Sequence, residues 1–274
     1  MFQYHCLNPI AEKGLGLFDE DYKKTEELEG TDAILVRSAK MHDMELPESV
    51  KVIARAGAGV NNIPVKDCAE KGIVVFNTPG ANANGVKELV LAGMLLASRD
   101  IVGGIEWVAK EKDQEDIDKL AEKQKKQFAG CEIMGKKLGI HAYGNVGRNV
   151  ARIAKGFGME IYAFDAFCPK EVIEKDGVKA VSSAEELYAA CNVVSLHIPA
   201  TAETKNSINY ELVNKMPKGG VLVNTARKEV INEAELIKLM EERTDLKYVT
   251  DIMPVAHAEF SEKFAGRYSL QPKK

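Results

Sequence analysis

A short glycine-containing turn near the middle of the chain restricts its fold more than any other sequence feature. Residues 142–147 read Ala-Tyr-Gly-Asn-Val-Gly; they follow an apolar run at 138–143 and open a helical pattern over 146–157. A strand, a tight turn and a helix in this order begin the βαβ unit that binds dinucleotides. The pattern therefore predicts a parallel α/β sheet with a nucleotide at its carboxyl edge.

The turn supplies the candidate phosphate-binding residues. Gly144 would let the backbone approach a pyrophosphate closely, and Gly147 would let the helix pack tightly against the sheet. The first N–H groups of the helix, with their partial positive charge, would then face the phosphates. The predicted cofactor contacts at this turn are Tyr143, Gly144, Asn145, Val146 and Gly147.

An acidic residue indicates which dinucleotide is bound. Asp165 closes the second predicted strand, residues 160–164, and stands 18 residues after Gly147. An acidic side chain at this point accepts hydrogen bonds from the ribose 2′-hydroxyl and repels a 2′-phosphate. The sequence therefore predicts NAD rather than NADP. Ala142 stands where the pattern prefers glycine, and alanine at this position would tighten the turn.

Short apolar runs alternate with helical patterns on both sides of the turn. Runs at 2–7, 33–36, 52–54 and 73–76 precede it, and runs at 193–197, 221–224 and 247–250 follow it. Most are rich in Val or Ile, which is typical of buried parallel strands. A chain of 274 residues suggests about two domains. We therefore expect two α/β units in tandem.

Composition and charge exclude several other classes of protein. The formal net charge of −4 does not favour nucleic acid as a partner. The five cysteines are scattered without a C-x-x-C pair, so we expect neither a disulfide framework nor a metal site, and a cytoplasmic location. Residues 89–97 form the longest apolar stretch, too short to span a bilayer, and the N-terminus shows no secretory signal. No membrane partner is expected.

Four further segments carry a family resemblance. They are Arg-Ala-Gly-Ala-Gly-Val-Asn-Asn-Ile at 55–63, Asn-Thr-Pro-Gly at 77–80, Ser-Leu-His-Ile-Pro at 195–199 and Asn-Thr-Ala-Arg at 224–227. In this order around the dinucleotide turn, they make the chain resemble the D-isomer-specific 2-hydroxyacid dehydrogenases over essentially its whole length. Within that family it is most similar to short members that oxidise 3-phosphoglycerate.

The resemblance implies an architecture of two doubly wound parallel-sheet domains. A flavodoxin-like substrate domain would cover residues 1–92, and a Rossmann NAD-binding domain would cover residues 93–265. Residues 266–274 would begin a segment that returns to the first domain. The family also implies a homodimer formed through the nucleotide domain.

The chemistry of the family explains its catalytic arginine. Oxidation of a secondary alcohol beside a carboxylate needs a cation to hold the carboxylate and a base to take the hydroxyl proton. Arg227 follows the predicted strand at 221–224, at the edge where open α/β sheets place their ligands. Its planar guanidinium suits bidentate recognition of a carboxylate. The resemblance makes Arg227 that arginine.

The proton acceptor is expected near residue 274. The glutamate that orients the family's usual catalytic histidine is replaced by Ala256, and the usual Thr-Pro-His segment by Gln-Pro-Lys-Lys at 271–274. Short members that act on phosphoglycerate carry a lysine there, which makes Lys274, or Lys273, the expected acceptor. His257 is the alternative.

The resemblance also assigns the remaining contacts. Backbone N–H groups of residues 57–59 would form a nest for the substrate carboxylate, and two arginines beside a small substrate point to a second anionic group, such as a phosphate. The expected substrate contacts are Arg37, Ser38, Arg55, Gly57, Ala58, Gly59 and Asn82. The further expected cofactor contacts are Thr78, Asp165, His197, Pro199, Thr204, Thr225, Ala226 and Asp251.

Three functions remain open on the sequence. The first is NAD-dependent oxidation of a small anionic substrate, 3-phosphoglycerate, to 3-phosphohydroxypyruvate, which leads to serine. The second keeps the chemistry but acts on another small 2-hydroxy acid, such as glyoxylate, hydroxypyruvate or a D-lactate-like acid. The third is a non-catalytic NAD-sensing protein. The missing Glu–His pair favours the third function, while Arg227 and the terminal lysines oppose it.

Overall fold

The computed structural model describes residues 1–271. Contacts divide the chain into two compact units, Met1–Asn82 and the part from Ala83 onward.

The first unit is built on a parallel sheet. Its strands are β1 (Phe2–Cys6), β2 (Tyr22–Thr25), β3 (Ala33–Val36), β4 (Val52–Arg55) and β5 (Val74–Asn77), and its helices are α1 (Glu12–Leu15) and α2 (Val65–Glu70). All neighbouring strands run parallel, in the order β2-β1-β3-β4-β5. This is the flavodoxin-like order, as the resemblance predicted.

Alternation along the strands gives this sheet one buried face. Ile34, Val36 and Ile53 point to the same side and are fully buried in the unit's apolar core. On the opposite face, Phe76 of the edge strand β5 is 59% exposed. The main apolar core of the first unit therefore lies on one side of its sheet, while Tyr4 is buried against Phe18 on the other side.

The second unit contains a larger parallel sheet. Its strands are β6 (Lys137–His141), β7 (Glu160–Phe164), β8 (Lys179–Ala180), β9 (Val193–Leu196), β10 (Val221–Asn224), β11 (Lys247–Thr250) and β12 (Tyr268–Leu270). They are arranged in the order β8-β7-β6-β9-β10-β11-β12. Counted within the unit, this is the Rossmann order 3-2-1-4-5-6 followed by one more strand. The predicted Rossmann domain is confirmed.

Helices connect these strands and cover the sheet. They are α3 (Ala83–Ser98), α4 (Ile101–Glu111), α5 (Ile117–Gln124), α6 (Asn145–Gly156), α7 (Lys170–Lys175), α8 (Ala184–Ala190), α9 (Tyr210–Asn214), α10 (Glu233–Glu242) and α11 (His257–Lys263), with 3₁₀ turns at Lys125–Phe128 and Lys228–Val230. Asp100, Ser183, Asn209 and Asn232 cap the N-termini of α4, α8, α9 and α10 with side-chain oxygens. Among residues 1–271, no helix has both the length and the apolar character needed to cross a bilayer.

The structure differs from the expected domain limits in two places. The units divide at 82/83 instead of 92/93, because α3 is one continuous helix whose Val90 and Met94 are buried with Leu138 in the core of the second unit. Residues 268–270, expected to begin a return to the first domain, form β12 beside β11. Tyr268 packs there against Tyr248, which holds this segment in the second unit.

Candidate functional site

The predicted dinucleotide turn lies between β6 and α6, at the carboxyl edge of the seven-stranded sheet. Ala142 follows the last residue of β6 and has a left-handed backbone, with φ +78°. Its N–H donates to the carbonyl oxygen of Phe164 on β7, at 2.8 Å. A left-handed backbone destabilises an ordinary L-residue by about 1–2 kcal/mol, which explains why the pattern prefers glycine here. The alanine therefore keeps the turn, but under strain.

The two glycines of the turn serve different purposes. A Cβ on Gly147 would collide with the carbonyl oxygen of Ala142 and lie 2.8 Å from Cγ2 of Ile140. Gly147 is therefore required by the packing of α6 on β6. A Cβ on Gly144 would meet no protein atom within 4 Å, and its φ of −81° is open to any residue. The missing side chain at Gly144 leaves a space that a ligand could fill.

The first turn of α6 offers unpaired donors beside that space. Gly144 caps the helix without a side-chain hydrogen bond, and the first bond of the helix runs from the N–H of Arg148 to the carbonyl of Gly144 at 2.9 Å. The N–H groups of Asn145, Val146 and Gly147 make no hydrogen bond within the described chain. Such donors at a helix N-terminus bind phosphate groups. The turn thus fits the pyrophosphate of a dinucleotide.

Asp165 joins the end of β7 to this turn. Its Oδ2 accepts a hydrogen bond from the N–H of Tyr143 at 2.7 Å. Its Oδ1 accepts from the N–H groups of Phe167 and Cys168, at 2.8 and 2.9 Å. A carboxylate has about four acceptor positions, so three bonds leave capacity for a ribose hydroxyl. The acidic side chain stands where the sequence predicted it.

Two histidines lie under the turn, at the ends of β6 and β9. His141 is buried and its Nδ1 lies 3.3 Å from the hydroxyl of Tyr188, while Nε2 of His197 lies 3.0 Å from Oγ of Ser195. Burial lowers the pKa of His141 to about 4, and burial together with the nearby His141 lowers the pKa of His197 to about 3. Both rings are therefore neutral at physiological pH.

The loop after β10 carries three of the predicted residues. Asn224 fixes it, because its side chain accepts from the N–H of Ala226 and donates to the carbonyl of Arg227, both at 3.0 Å. Arg227 is exposed and donates from Nη1 to the carbonyl of Ala226 at 2.7 Å. The hydroxyl of Thr225 is buried and has no hydrogen-bond partner within residues 1–271. A buried hydroxyl without a partner is unfavourable, and a bound cofactor would satisfy it.

The other predicted cofactor contacts of this unit lie at neighbouring strand ends. Thr204 closes the loop after β9, since its hydroxyl donates to the carbonyl of Pro199 at 2.6 Å and accepts from the N–H of Thr201 at 2.8 Å. Asp251 follows β11 and is buried. Five strand ends, those of β6, β7, β9, β10 and β11, thus bring the predicted cofactor residues of this unit to one edge of the sheet.

The predicted anion nest of the first unit lies after β4. The guanidinium of Arg55 packs against Gly57, where a Cβ would lie 2.6 Å from Nη1. The carbonyl of Gly57 accepts from the N–H of Thr78 at 3.0 Å, and the carbonyl of Ala58 accepts from Nδ2 of Asn77 at 2.6 Å. The N–H groups of Ala58 and Gly59 make no hydrogen bond within the described chain. Arg55 and unpaired N–H groups therefore meet on one short segment, suited to an anion.

A residue that the sequence reasoning missed holds the other substrate-binding loop. Oδ1 of Asn8 accepts hydrogen bonds from the N–H groups of Arg37, Ser38 and Ala39, each at 2.9 Å. Asn8 lies just after β1, beside the end of β3, where the order of strands reverses. An amide side chain at the carboxyl end of a central strand was the available signal.

Asn62 supports the same loop from the next segment. Its Nδ2 donates to the carbonyl of Ala39 at 2.8 Å, and its own carbonyl accepts from the N–H of Met41 at 2.9 Å. Asn62 belongs to the 55–63 motif, so this motif and the loop after β3 are joined. The two predicted substrate-binding segments of the first unit form one hydrogen-bonded cluster.

Some predicted site residues stand apart from these clusters. Asn82 is exposed at the last position of the first unit. Thr78, expected as a cofactor contact, belongs to the first unit. Lys273 and Lys274 lie outside the described residues. His257, the alternative acceptor, places Nδ1 3.0 Å from the hydroxyl of Tyr268.

Comparison with known proteins gives the family. Residues 91–267 match the family described as D-isomer specific 2-hydroxyacid dehydrogenase, NAD binding domain. A D-3-phosphoglycerate dehydrogenase of Methanocaldococcus jannaschii is 36% identical over 85% of this chain and 43% of its own length. A hydroxypyruvate reductase of Thermotoga maritima is 38% identical over 75% of this chain and 63% of its own length. The chain thus spans about half the length of these two relatives.

A solved structure agrees with this result. The NAD⁺-bound 3-phosphoglycerate dehydrogenase of Entamoeba histolytica is 36% identical and has a TM-score of 0.76, covering 99% of this chain and 86% of that one. The family match includes β6 to β11, the nucleotide turn and Asp165. The family resemblance and the cofactor predicted from the sequence are therefore both confirmed. The chain belongs to the D-isomer-specific 2-hydroxyacid dehydrogenases, and its second unit contains their NAD-binding domain.

Proposed function

We propose that this protein oxidises 3-phosphoglycerate to 3-phosphohydroxypyruvate with NAD, a reaction that leads to serine. The observation that carries the proposal is the hydrogen-bonded cluster of the first unit. It combines the guanidinium of Arg55, the unpaired N–H groups of Ala58 and Gly59, and the exposed Arg37. Two cations and a backbone nest suit a small substrate that carries both a carboxylate and a phosphate.

The residues of the second unit suit the rest of the reaction. The first turn of α6 would hold the pyrophosphate, Asp165 the ribose, and the buried hydroxyl of Thr225 a polar group of the cofactor. When bound, NAD supplies the acceptor for the hydride that leaves the substrate. Arg227 would hold the substrate carboxylate and stabilise the negative charge that develops on the oxygen becoming a carbonyl.

The proton of the substrate hydroxyl needs an acceptor, and we assign it to Lys274 or Lys273. His257 is the weaker candidate, because its Nδ1 is engaged by the hydroxyl of Tyr268 at 3.0 Å. Its ring also packs against that of Tyr268, with centroids 5.9 Å apart. Replacing each lysine separately with alanine tests the assignment. Loss of turnover by about 10²–10⁴ in one variant, with NAD binding retained, is the expected result.

A second candidate is a reductase for another small 2-hydroxy acid. The Thermotoga maritima relative is named a hydroxypyruvate reductase, and the nest of the first unit would accept any 2-hydroxy carboxylate. The contact with the substrate phosphate is what distinguishes oxidation of phosphoglycerate from action on another 2-hydroxy acid. Steady-state rates with 3-phosphoglycerate and with D-glycerate, on the wild type and on Arg55→Ala, separate them.

The expected result is a selective loss. Arg55→Ala should weaken use of phosphoglycerate about 10- to 150-fold, the range for a charge-assisted hydrogen bond of ~1.5–3 kcal/mol, and should affect glycerate much less. Equal losses with both substrates would place Arg55 on the carboxylate. Binding of NAD without turnover of any 2-hydroxy acid would identify a sensing protein instead.

We also propose that the protein is a cytoplasmic homodimer. The homodimer is supported by helix α4, an 11-residue helix that presents Ile101, Ile105 and Val108 on one exposed face. The cytoplasmic location is supported by the five cysteines, all of which are free. Ile105 is 64% exposed and lies between the other two, so the three side chains form a contiguous apolar patch of the kind that marks protein–protein interfaces. Ile105→Glu should convert the dimer to a monomer in light scattering, whereas Glu106→Gln on the same helix should not. A wild type that is monomeric at micromolar concentration contradicts the proposal.

A further inference from the structure

Arg148, in the first turn of α6, places a guanidinium against the loop that holds Asp165. Its Nε donates to the carbonyl of Tyr143 at 3.4 Å, and its Nη2 lies 3.9 Å from Sγ of Cys168. The centre of the guanidinium lies 5.4 Å from the centre of the Tyr143 ring. Tyr143 and Cys168 are two of the three residues whose N–H groups bind the Asp165 carboxylate. Arg148 thus contacts both backbone segments that Asp165 joins.

The charge of Arg148 is not neutralised by a neighbouring carboxylate. Within residues 1–271 it forms no ion pair. Arg152 and Lys155 follow on the same face of α6, and with Arg148 they line a cavity of about 370 Å³. The one acidic residue lining it, Asp176, accepts a hydrogen bond from the hydroxyl of Tyr143 at 3.1 Å. The lining of this cavity therefore carries three cationic side chains and one carboxylate.

We propose that Arg148 is a second residue that determines which dinucleotide binds, and that its effect opposes that of Asp165. Its guanidinium would pair with the 2′-phosphate of NADP. The inference rests on the proposed function, because it takes Asp165 as the residue that meets the ribose. In the wild type Asp165 prevails, since it is half-buried, is fixed by three hydrogen bonds and, by the proposed function, meets the ribose. Arg148 is exposed, and solvent screens its attraction. The ratio of NAD affinity to NADP affinity is therefore smaller than it would be if the Asp165 carboxylate acted alone.

The test measures binding of NAD and NADP by titration calorimetry, with no substrate present. Asp165→Asn removes the negative charge and keeps a carbonyl oxygen for the N–H groups of Phe167 and Cys168. This variant should bind NADP at least about tenfold more tightly than the wild type does. Adding Arg148→Ala should remove most of that gain while changing NAD affinity less than about threefold. If the double variant binds NADP as tightly as Asp165→Asn alone, the inference is overturned.

Two further measurements keep the result interpretable. Arg148→Ala in the wild-type background keeps the negative charge of Asp165 and should weaken NADP binding more than NAD binding. Arg152→Ala is the matched control, because it removes the same charge from the same cavity one turn farther along α6. If Arg152→Ala weakens NADP binding as much as Arg148→Ala does, the effect comes from the positive charge of the whole cavity and not from a contact with Arg148. That result would overturn the proposal. Failure of the wild type to bind NAD at all would instead refute the proposed function.

Discussion

The carbonyl oxygen of Ala142 lies too close to Gly147 for that residue to carry a Cβ. Helix α6 approaches β6 so closely here that Cγ2 of Ile140 would also be 2.8 Å from that Cβ. Gly147→Ala should therefore force the helix away from the sheet and lower the free energy of unfolding by about 1–3 kcal/mol, as overpacking does. Urea denaturation measures this change.

Gly144→Ala is the matched substitution three residues earlier. A Cβ at Gly144 meets no protein atom within 4 Å, and the backbone is not left-handed. We expect unchanged or slightly higher stability, because alanine restricts the unfolded chain more than glycine does. NAD binding should weaken at least about tenfold if the pyrophosphate approaches the backbone here. Unchanged NAD affinity in Gly144→Ala would show that the pyrophosphate lies elsewhere.

Ala142→Gly should stabilise the protein. The left-handed backbone of Ala142, with φ +78°, strains an alanine but not a glycine. Glycine also gives the unfolded chain more freedom, so the net gain is expected at ~0.5–1 kcal/mol. Ala151→Gly, inside α6, is the control and should lose about 1 kcal/mol. A stability loss in Ala142→Gly would mean that the turn carries no such strain.

The apolar runs of the sequence predicted most central strands, but no run marked the polar strand β2, Tyr22–Thr25, or the two-residue β8. A run can also extend past the end of its strand. The run at 138–143 is apolar to its end, yet β6 stops at His141 because Ala142 turns the backbone away. The helical pattern at 146–157 is observed as α6, Asn145–Gly156. Local pattern was sufficient for these elements, because burial of one face depends on near neighbours along the chain.

Contacts between distant residues could not be predicted in this way. Asn8 binds N–H groups about 30 residues farther along the chain, and Arg148 meets Cys168 20 residues away. β12 is only three residues long, and its Tyr268 is held by ring contacts with Tyr248 and Phe260. Each of these contacts joins residues that only the complete fold brings together. A local sequence pattern therefore cannot predict them.

The two buried histidines should make stability depend on pH. The pKa of His141 is lowered to about 4 and that of His197 to about 3, mainly by burial, against an ordinary value of 6.5. Above pH 6.5 the rings of His141 and His197 are mostly neutral in the folded chain and in the unfolded chain. Below it the unfolded chain takes up protons that the folded chain does not, so stability falls as the pH drops towards 4.

Denaturant unfolding at several pH values between 7.5 and 5 measures this effect. Each histidine adds a slope of up to about 1.4 kcal/mol per pH unit in the lower part of the window. The variant with both His141→Gln and His197→Gln should show a flatter dependence, whatever its stability at pH 7.5. The charges of Asp165 and Glu185 raise the pKa of His141 and so partly offset the effect of burial. His141 therefore contributes less to the pH dependence of stability than His197 does. A slope unchanged in the double variant would contradict the prediction.

Asn8 holds the loop after β3, because its side-chain oxygen accepts hydrogen bonds from three consecutive N–H groups of that loop. In Asn8→Ala these groups lose their acceptor, and because Arg37 and Ser38 are exposed, water would replace it. We therefore expect a modest loss of stability, about 1 kcal/mol, and a much faster exchange of the N–H hydrogens of residues 37–39.

Asn8→Asp separates the hydrogen bonds from general damage to the unit. A carboxylate accepts the same three bonds, so stability and slow exchange should both return. Asn61→Ala is the control, because only the backbone carbonyl of Asn61 is used, by Nε2 of His42 at 3.0 Å. Its exchange pattern should match that of the wild type. Slow exchange at 37–39 in Asn8→Ala would show that Asn62, which binds the carbonyl of Ala39, is sufficient to hold the loop.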